Sequence, residues 1–132
     1  MKRQRVFLVL TVLWLAVIWG HSMMPASESK AESGGIVALL VQYLPWVTDR
    51  LVRKAAHFTE YAVLGALLFG AFPQRGRTAV IQSVFAGFLV ALLDETIQLF
   101  APGRSGQITD VWLDMAGWSL PQLLLRLRHL RK

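Results

Sequence analysis

The sequence predicts an all-α integral membrane bundle of four transmembrane helices with both termini cytoplasmic. Three observations predict it. Of 132 residues 55% are hydrophobic, and the mean hydropathy of +0.47 is high for a small domain whose surface must face water. Four apolar runs reach or approach the roughly 20 residues needed to cross about 30 Å of hydrocarbon. The basic residues cluster at the ends of those runs rather than on one polar face, so a formal charge of +6 does not make the chain a nucleic-acid binder. Cysteine is absent, which removes disulfides and thiolate metal sites from consideration.

The first run, 6–24, follows the basic start Lys2, Arg3 and Arg5 and resembles a signal peptide. The stretch His21-Ser22-Met23-Met24-Pro25-Ala26-Ser27 offers no small-x-small cleavage site, so the run is expected to stay as an anchor. The second and third runs, about 55–72 and 78–100, are joined by Pro73-Gln74-Arg75-Gly76-Arg77, a turn short enough to predict antiparallel neighbours. The fourth, about 108–125, follows Ala101-Pro102-Gly103-Arg104-Ser105-Gly106. Between the first two runs, 27–35 is polar and small, whereas 36–46 is apolar but too short to cross. The apolar piece is expected at the interface, re-entrant, or as a short helix over the bundle mouth. No internal repeat divides the chain, so 1–132 reads as one domain.

Cytoplasmic loops retain positive charge. With the N-terminus inside, the inner side collects Lys2, Arg3, Arg5, Arg75, Arg77, Arg126, Arg128, Arg131 and Lys132. The outer side has only Lys30, Arg50, Arg53, Lys54 and Arg104, spread over longer loops.

Ionisable residues within the runs carry the functional signal. Residues three and four apart share a helix face, so Lys54, His57 and Tyr61 align, with Arg53 and Glu60 on the flank. Asp94, Glu95 and Gln98 occupy an arc of about 100° on the third run, and Asp110, Asp114 and Gly117 form a stripe on the fourth. Alternating direction brings these three stripes to one end of the bundle, with Asp94 roughly 9 Å below the end of its run. A charged side chain at the bilayer centre costs about 2.5–3.5 kcal/mol, and the acids here outnumber the cations available to pair with them. The excess predicts a cation, proton or polar ligand.

Other residues read as packing. Ala62, Ala66 and Gly70 form a small-xxx-small stripe for close helix contact, and Pro121 is expected to kink the fourth run near Gly117. Arg104 sits in a Pro-Gly turn beside a helix start, where it is expected either to form with Arg53 and Lys54 a cationic rim suited to phosphate or to serve as an interfacial anchor against lipid headgroups.

The pattern Lys54-x-x-His57-Phe58-x-Glu60-Tyr61, then Asp94-Glu95-x-x-Gln98-x-x-x-Pro102-Gly103-Arg104, then Asp110-x-x-x-Asp114-x-x-Gly117 resembles the VanZ-like family of bacterial membrane proteins. Ser22 and Pro25 resemble that family's polar exit from its first helix. The resemblance implies a multi-pass protein of the bacterial inner membrane linked to the cell envelope, in a family whose name-giving member is associated with low-level teicoplanin resistance. Two positions depart from the family's habit: Asp114, where Asn is common, and Pro121, where a small residue is common.

The reading that follows is an envelope protein whose outer polar pocket binds or modifies a lipid-linked or phosphate-bearing molecule. In its enzymatic version His57, Glu60, Asp94 and Glu95 are the candidate catalytic residues. Lys54, Tyr61, Gln98, Arg104, Asp110 and Asp114 are the candidate ligand-binding residues, and Asp94, Glu95 and Asp110 the candidate holders of a divalent cation. Two other classes stay open: a proton-coupled transporter or channel component, and a non-catalytic envelope scaffold that works through partners.

Overall fold

The computed structural model describes residues 2–72 and 77–130, and among them it contains five α-helices and no strand. In chain order these are α1 Lys2–Met23, α2 Ala26–Leu40, α3 Asp49–Ala71, α4 Arg77–Gln98 and α5 Ile108–Leu130. Among the described residues two helices, Lys2–Met23 and Thr78–Gln98, are long and apolar enough to cross a membrane. The other two long helices carry ionisable side chains along their length, with Arg53, Lys54, His57 and Glu60 on α3 and Asp110, Asp114, Arg126 and Arg128 on α5. Helices α1, α3 and α5 run past the apolar stretches that announce them, because helical hydrogen bonding continues into the polar ends. Thr48, for example, caps α3 well ahead of its apolar run, its Oγ1 accepting the Leu51 N–H at 3.3 Å.

The second helix departs from the sequence reading. The polar stretch 27–35 and the apolar stretch 36–46 are not separate units; one helix, Ala26–Leu40, runs across their boundary. Pro25 is pre-set for a helix start, and its carbonyl accepts the N–H groups of Glu28 and Ser29, each at 3.1 Å. Glu28 lies in the positive first turn, and Ala26, Lys30, Ala31 and Glu32 are good helix formers. Pro45 prevents continuation, so 41–48 is a series of turns. The Ala26 N–H donates to the Pro102 carbonyl at 3.0 Å, and Ser33 Oγ donates to Asp49 Oδ1 at 3.3 Å. These bonds fix α2 against α3 and against the α4–α5 loop.

Helix α3 is the hub. It lies along α5 over the broadest contact and also packs on α1 and α2, whereas α4 rests on α5 and α1. Helices α3 and α4 meet at few points, so they sit across the bundle from each other instead of side by side as the short turn predicts. The turn itself, 73–76, lies outside the described residues. Glycine explains the preferred partner. At Gly65 of α3 a side-chain carbon would collide with the Trp118 carbonyl of α5, and at Gly117 of α5 it would collide with the Phe58 carbonyl of α3. Two bare backbones therefore face each other at two levels. The stripe Ala62, Ala66 and Gly70 is only half-buried. Helix α5 continues unbroken through Pro121, whose ring packs beside Gly65.

Ile18, Tyr61, Leu64, Leu68, Ala91, Val111 and Trp118 form the central core, drawn from all four long helices. Large apolar side chains also cover the outside: Val9, Val12 and Leu13 on α1, Ile81, Phe85 and Leu89 on α4, and Leu120, Leu123, Leu124 and Leu127 on α5 are exposed. So broad an apolar exterior suits hydrocarbon rather than water.

Candidate functional site

The starts of α3 and α5 and the ends of α1 and α4 lie together, and each contributes polar side chains to one cluster. Asp94 is fully buried near the end of α4, and its Oδ1 accepts a hydrogen bond from Ser22 Oγ at the end of α1. Its Oδ2 lies 3.7 Å from His57 Nδ1, which in turn lies 3.6 Å from Asp114 Oδ1. Both separations are too long for hydrogen bonds. His57 Nδ1, Asp94 Oδ2, both carboxylate oxygens of Asp114 and the Tyr61 hydroxyl are sealed from solvent without a hydrogen-bond partner among the described residues.

Glu95 is better supplied. Its Oε1 accepts from Gln98 Nε2 at 3.1 Å and its Oε2 from the Gln107 backbone N–H at 2.7 Å, which ties the end of α4 to the approach to α5. One ligand-type atom from each of His57, Asp94, Glu95 and Asp114 falls within a cluster no wider than 4.8 Å. Asp110 is not in that group. It lies one turn nearer the start of α5, where its Oδ1 receives Lys54 Nζ at 2.5 Å in a pair whose side chains are 25% and 40% exposed. Glu60 is also drawn aside: its Oε1 lies 2.5 Å from His21 Nδ1, and its backbone carbonyl accepts Trp14 Nε1–H at 2.8 Å.

Above the cluster opens a cavity of about 230 Å³ lined by Arg50, Arg53, Lys54 and Arg104 together with His57, Gln98, Gln107 and Asp110. A second hollow of about 110 Å³ lies towards α2, with Met24, Ile36, Val52 and Ala56 in its wall. Arg53, His57 and Arg104 line both. Arg104 is held by the exposed C-terminal carbonyls of α1, its Nη1 donating to His21 O at 2.6 Å and Ser22 O at 3.3 Å. Burial first, and then the charge of Arg53, pull the Arg104 guanidinium below its usual pKa. Two guanidinium groups crowded at one cavity wall make a place that favours an anion.

Lys54, His57, Gln98, Arg104 and Asp110 thus meet at the cavity, while Asp94, Glu95, Asp114 and Tyr61 are buried and outside its lining, the acids being joined to it through His57. Sequence reasoning passed over His21, the hydrogen bond from Ser22 and the backbone N–H of Gln107. The alternation that gathers the other stripes also brings the end of α1 to this place, so His21 and Ser22 had a signal. A further buried network has no such signal: Gln122 Nε2 donates to the Gly65 carbonyl at 2.8 Å and to Ser83 Oγ at 3.1 Å, two turns beyond Asp114 on α5.

A family model described as VanZ/LLP1 matches residues 7–129 of the chain. No curated protein and no solved structure matches it.

Proposed function

The chain belongs to the VanZ/LLP1 family, and from that premise we propose that it is a bacterial inner-membrane protein binding a lipid-linked, phosphate-bearing envelope molecule at the cavity between α3 and α5. In this reading all four long helices cross the bilayer, both termini are cytoplasmic and the cavity faces the envelope side. The Lys and Arg distribution along the chain supports that orientation.

The observation that carries the reading is the cavity wall. Arg50, Arg53, Lys54 and Arg104 line one space of about 230 Å³, and Asp110, the acidic residue among the described lining residues, is already paired with Lys54. Guanidinium groups bind phosphate through paired N–H donors, and the mutual crowding of Arg53 and Arg104 is relieved when an anion sits between them. The neighbouring hollow with Met24, Ile36, Val52 and Ala56 in its wall supports the lipid portion. His57 is the titratable side chain shared by the cavity and the buried acids, so it is the group positioned to move a proton if the bound molecule is also modified.

A proton path through the protein is not favoured. Between the acid cluster and the Gln122–Ser83 network the bundle is filled by Leu64, Ala91 and Trp118.

The test uses the full chain in lipid nanodiscs with two probes, a short-chain polyprenyl phosphate and the corresponding alcohol. The native chain is expected to prefer the phosphate by at least about tenfold, two charge-assisted contacts being worth more than about 1.4 kcal/mol together. Replacing Arg53 and Arg104 with Gln removes that preference. Equal binding of phosphate and alcohol by the native chain overturns the reading.

A further inference from the structure

We propose that His57, Asp94, Glu95 and Asp114 form a site for one divalent first-row transition ion of the Mn²⁺ or Zn²⁺ type beside the cavity. The proposal deepens the reading above, since it concerns the same site, but binding of the ion can be measured without any phosphate.

The argument begins with missing partners. Asp94 and Asp114 are both 0% exposed and Glu95 is 5% exposed. A buried carboxylate needs hydrogen bonds or a counter-charge. Glu95 has two donors and Asp94 has one, from Ser22, but Asp114 has none among the described residues. Among the described residues the side chain able to carry a positive charge within 4.0 Å of Asp94 and Asp114 is His57, whose Nδ1 stands 3.6 Å from Asp114 and 3.7 Å from Asp94, outside hydrogen-bond range of both.

The atoms without partners are the atoms that face one another. His57 Nδ1, Asp94 Oδ2 and Asp114 Oδ1 are each sealed and unpartnered among the described residues, and the imidazole nitrogen stands 3.7 Å and 3.6 Å from the two carboxylate oxygens. Ligands bound tetrahedrally at about 2.1 Å from an ion lie about 3.4 Å from each other. The two His57–carboxylate separations are therefore those of a ligand shell to within a few tenths of an ångström and wrong for direct hydrogen bonds, while the full set of four, spread over up to 4.8 Å, has to draw in around the ion. The groups behind the ligands are also in place: Ser22 orients Asp94, while Gln98 and the Gln107 N–H orient Glu95.

The donor set selects the ion. Magnesium and calcium favour all-oxygen surroundings, whereas one imidazole nitrogen with three carboxylates suits manganese, iron(II) or zinc. The set is also not the one the sequence stripe offers. Asp110 belongs to Lys54 at the cavity rim, and Asp114, one turn deeper, takes its place.

The experiment titrates Mn²⁺ into the chelator-stripped full chain in detergent, counting free ion by electron paramagnetic resonance and reading nitrogen coupling in the pulsed spectrum. The expected result is about one ion per chain with a coupling from one imidazole nitrogen. The substitution Asp114→Asn weakens binding at least about tenfold, whereas Asp110→Asn keeps it within about twofold. No binding by the native chain, binding without nitrogen coupling, or an equal loss in Asp110→Asn and Asp114→Asn overturns the site. Because the nitrogen coupling is read on the native chain, the proposal stays testable if a variant does not fold. Ion binding without a phosphate preference would sink the functional reading and leave the site standing; the reverse result would sink the site alone.

Discussion

Adding one carbon at Gly65 should destabilise the protein, while adding one at Gly20 should stabilise it. Both glycines lie inside helices, so replacing either with Ala gains about 0.5–1 kcal/mol of backbone entropy and helix propensity. Gly20 has nothing within 4 Å of the new carbon, and the gain is kept. At Gly65 the carbon meets the Trp118 carbonyl oxygen well inside van der Waals contact, with the Trp118 carbonyl carbon at 3.0 Å and Pro121 Cγ at 3.1 Å. Backbone and a proline ring cannot swing aside as a flexible side-chain end can, so α3 and α5 must separate. Overpacking of that kind costs about 1–3 kcal/mol, which leaves a net loss of about 0.5–2 kcal/mol after the helix gain is subtracted. The two variants should then differ by about 2 kcal/mol, or about thirtyfold in the folding equilibrium. Denaturation in detergent micelles, followed by tryptophan fluorescence with Trp14, Trp19 and Trp118 at or beside the core, measures the difference. A Gly65→Ala variant as stable as Gly20→Ala would refute the close contact of α3 and α5, and with it the placement of His57 opposite Asp114.

Further substitutions probe the supports of the site. Gln122→Leu removes the donor to the Gly65 carbonyl and to Ser83, and should lower stability by about 1–3 kcal/mol in the same micelle assay without changing ion affinity. Ser22→Ala removes the hydroxyl that orients Asp94 and should weaken Mn²⁺ binding about ten- to a hundredfold, measured by titration. Thr48→Ala uncaps α3 and should cost about 1 kcal/mol, with faster hydrogen exchange at the Leu51 amide. Exchanging the charges of the Lys54–Asp110 pair, with Lys54→Asp and Asp110→Lys in one chain, concerns a partly exposed contact, so its effect on stability in the micelle assay should stay below about 1 kcal/mol.

The parts of the site that were legible are those governed by helix periodicity. His57, Asp94 and Asp114 each sit within an apolar run where a charge is costly, and counting residues from the helix ends places all three within roughly 6–12 Å of the same end of the bundle. Periodicity does not decide between residues on the same stripe. Asp110 and Asp114 are one turn apart, and only the reach of Lys54 towards the rim separates a salt bridge from a buried ligand. The side-by-side packing of α3 and α4 was expected from a short turn, but the glycine pair Gly65 and Gly117 draws α5 onto α3 instead. The helix through 27–35 escaped notice because Ser and Gly read as loop, although Pro25 and Glu28 mark a helix start. Gln122 and Ser83 carry no charge and stand apart from the ionisable stripes, so nothing short of the tertiary contact pairs them.

The central claim, that the cationic wall holds a phosphate-bearing lipid, is met most directly by mass spectrometry of the intact protein released from its own membrane. The account predicts a phosphate-bearing lipid retained by the native chain and lost when Arg53 and Arg104 are both replaced by Gln. The same lipids retained by both proteins, or none by either, would contradict it.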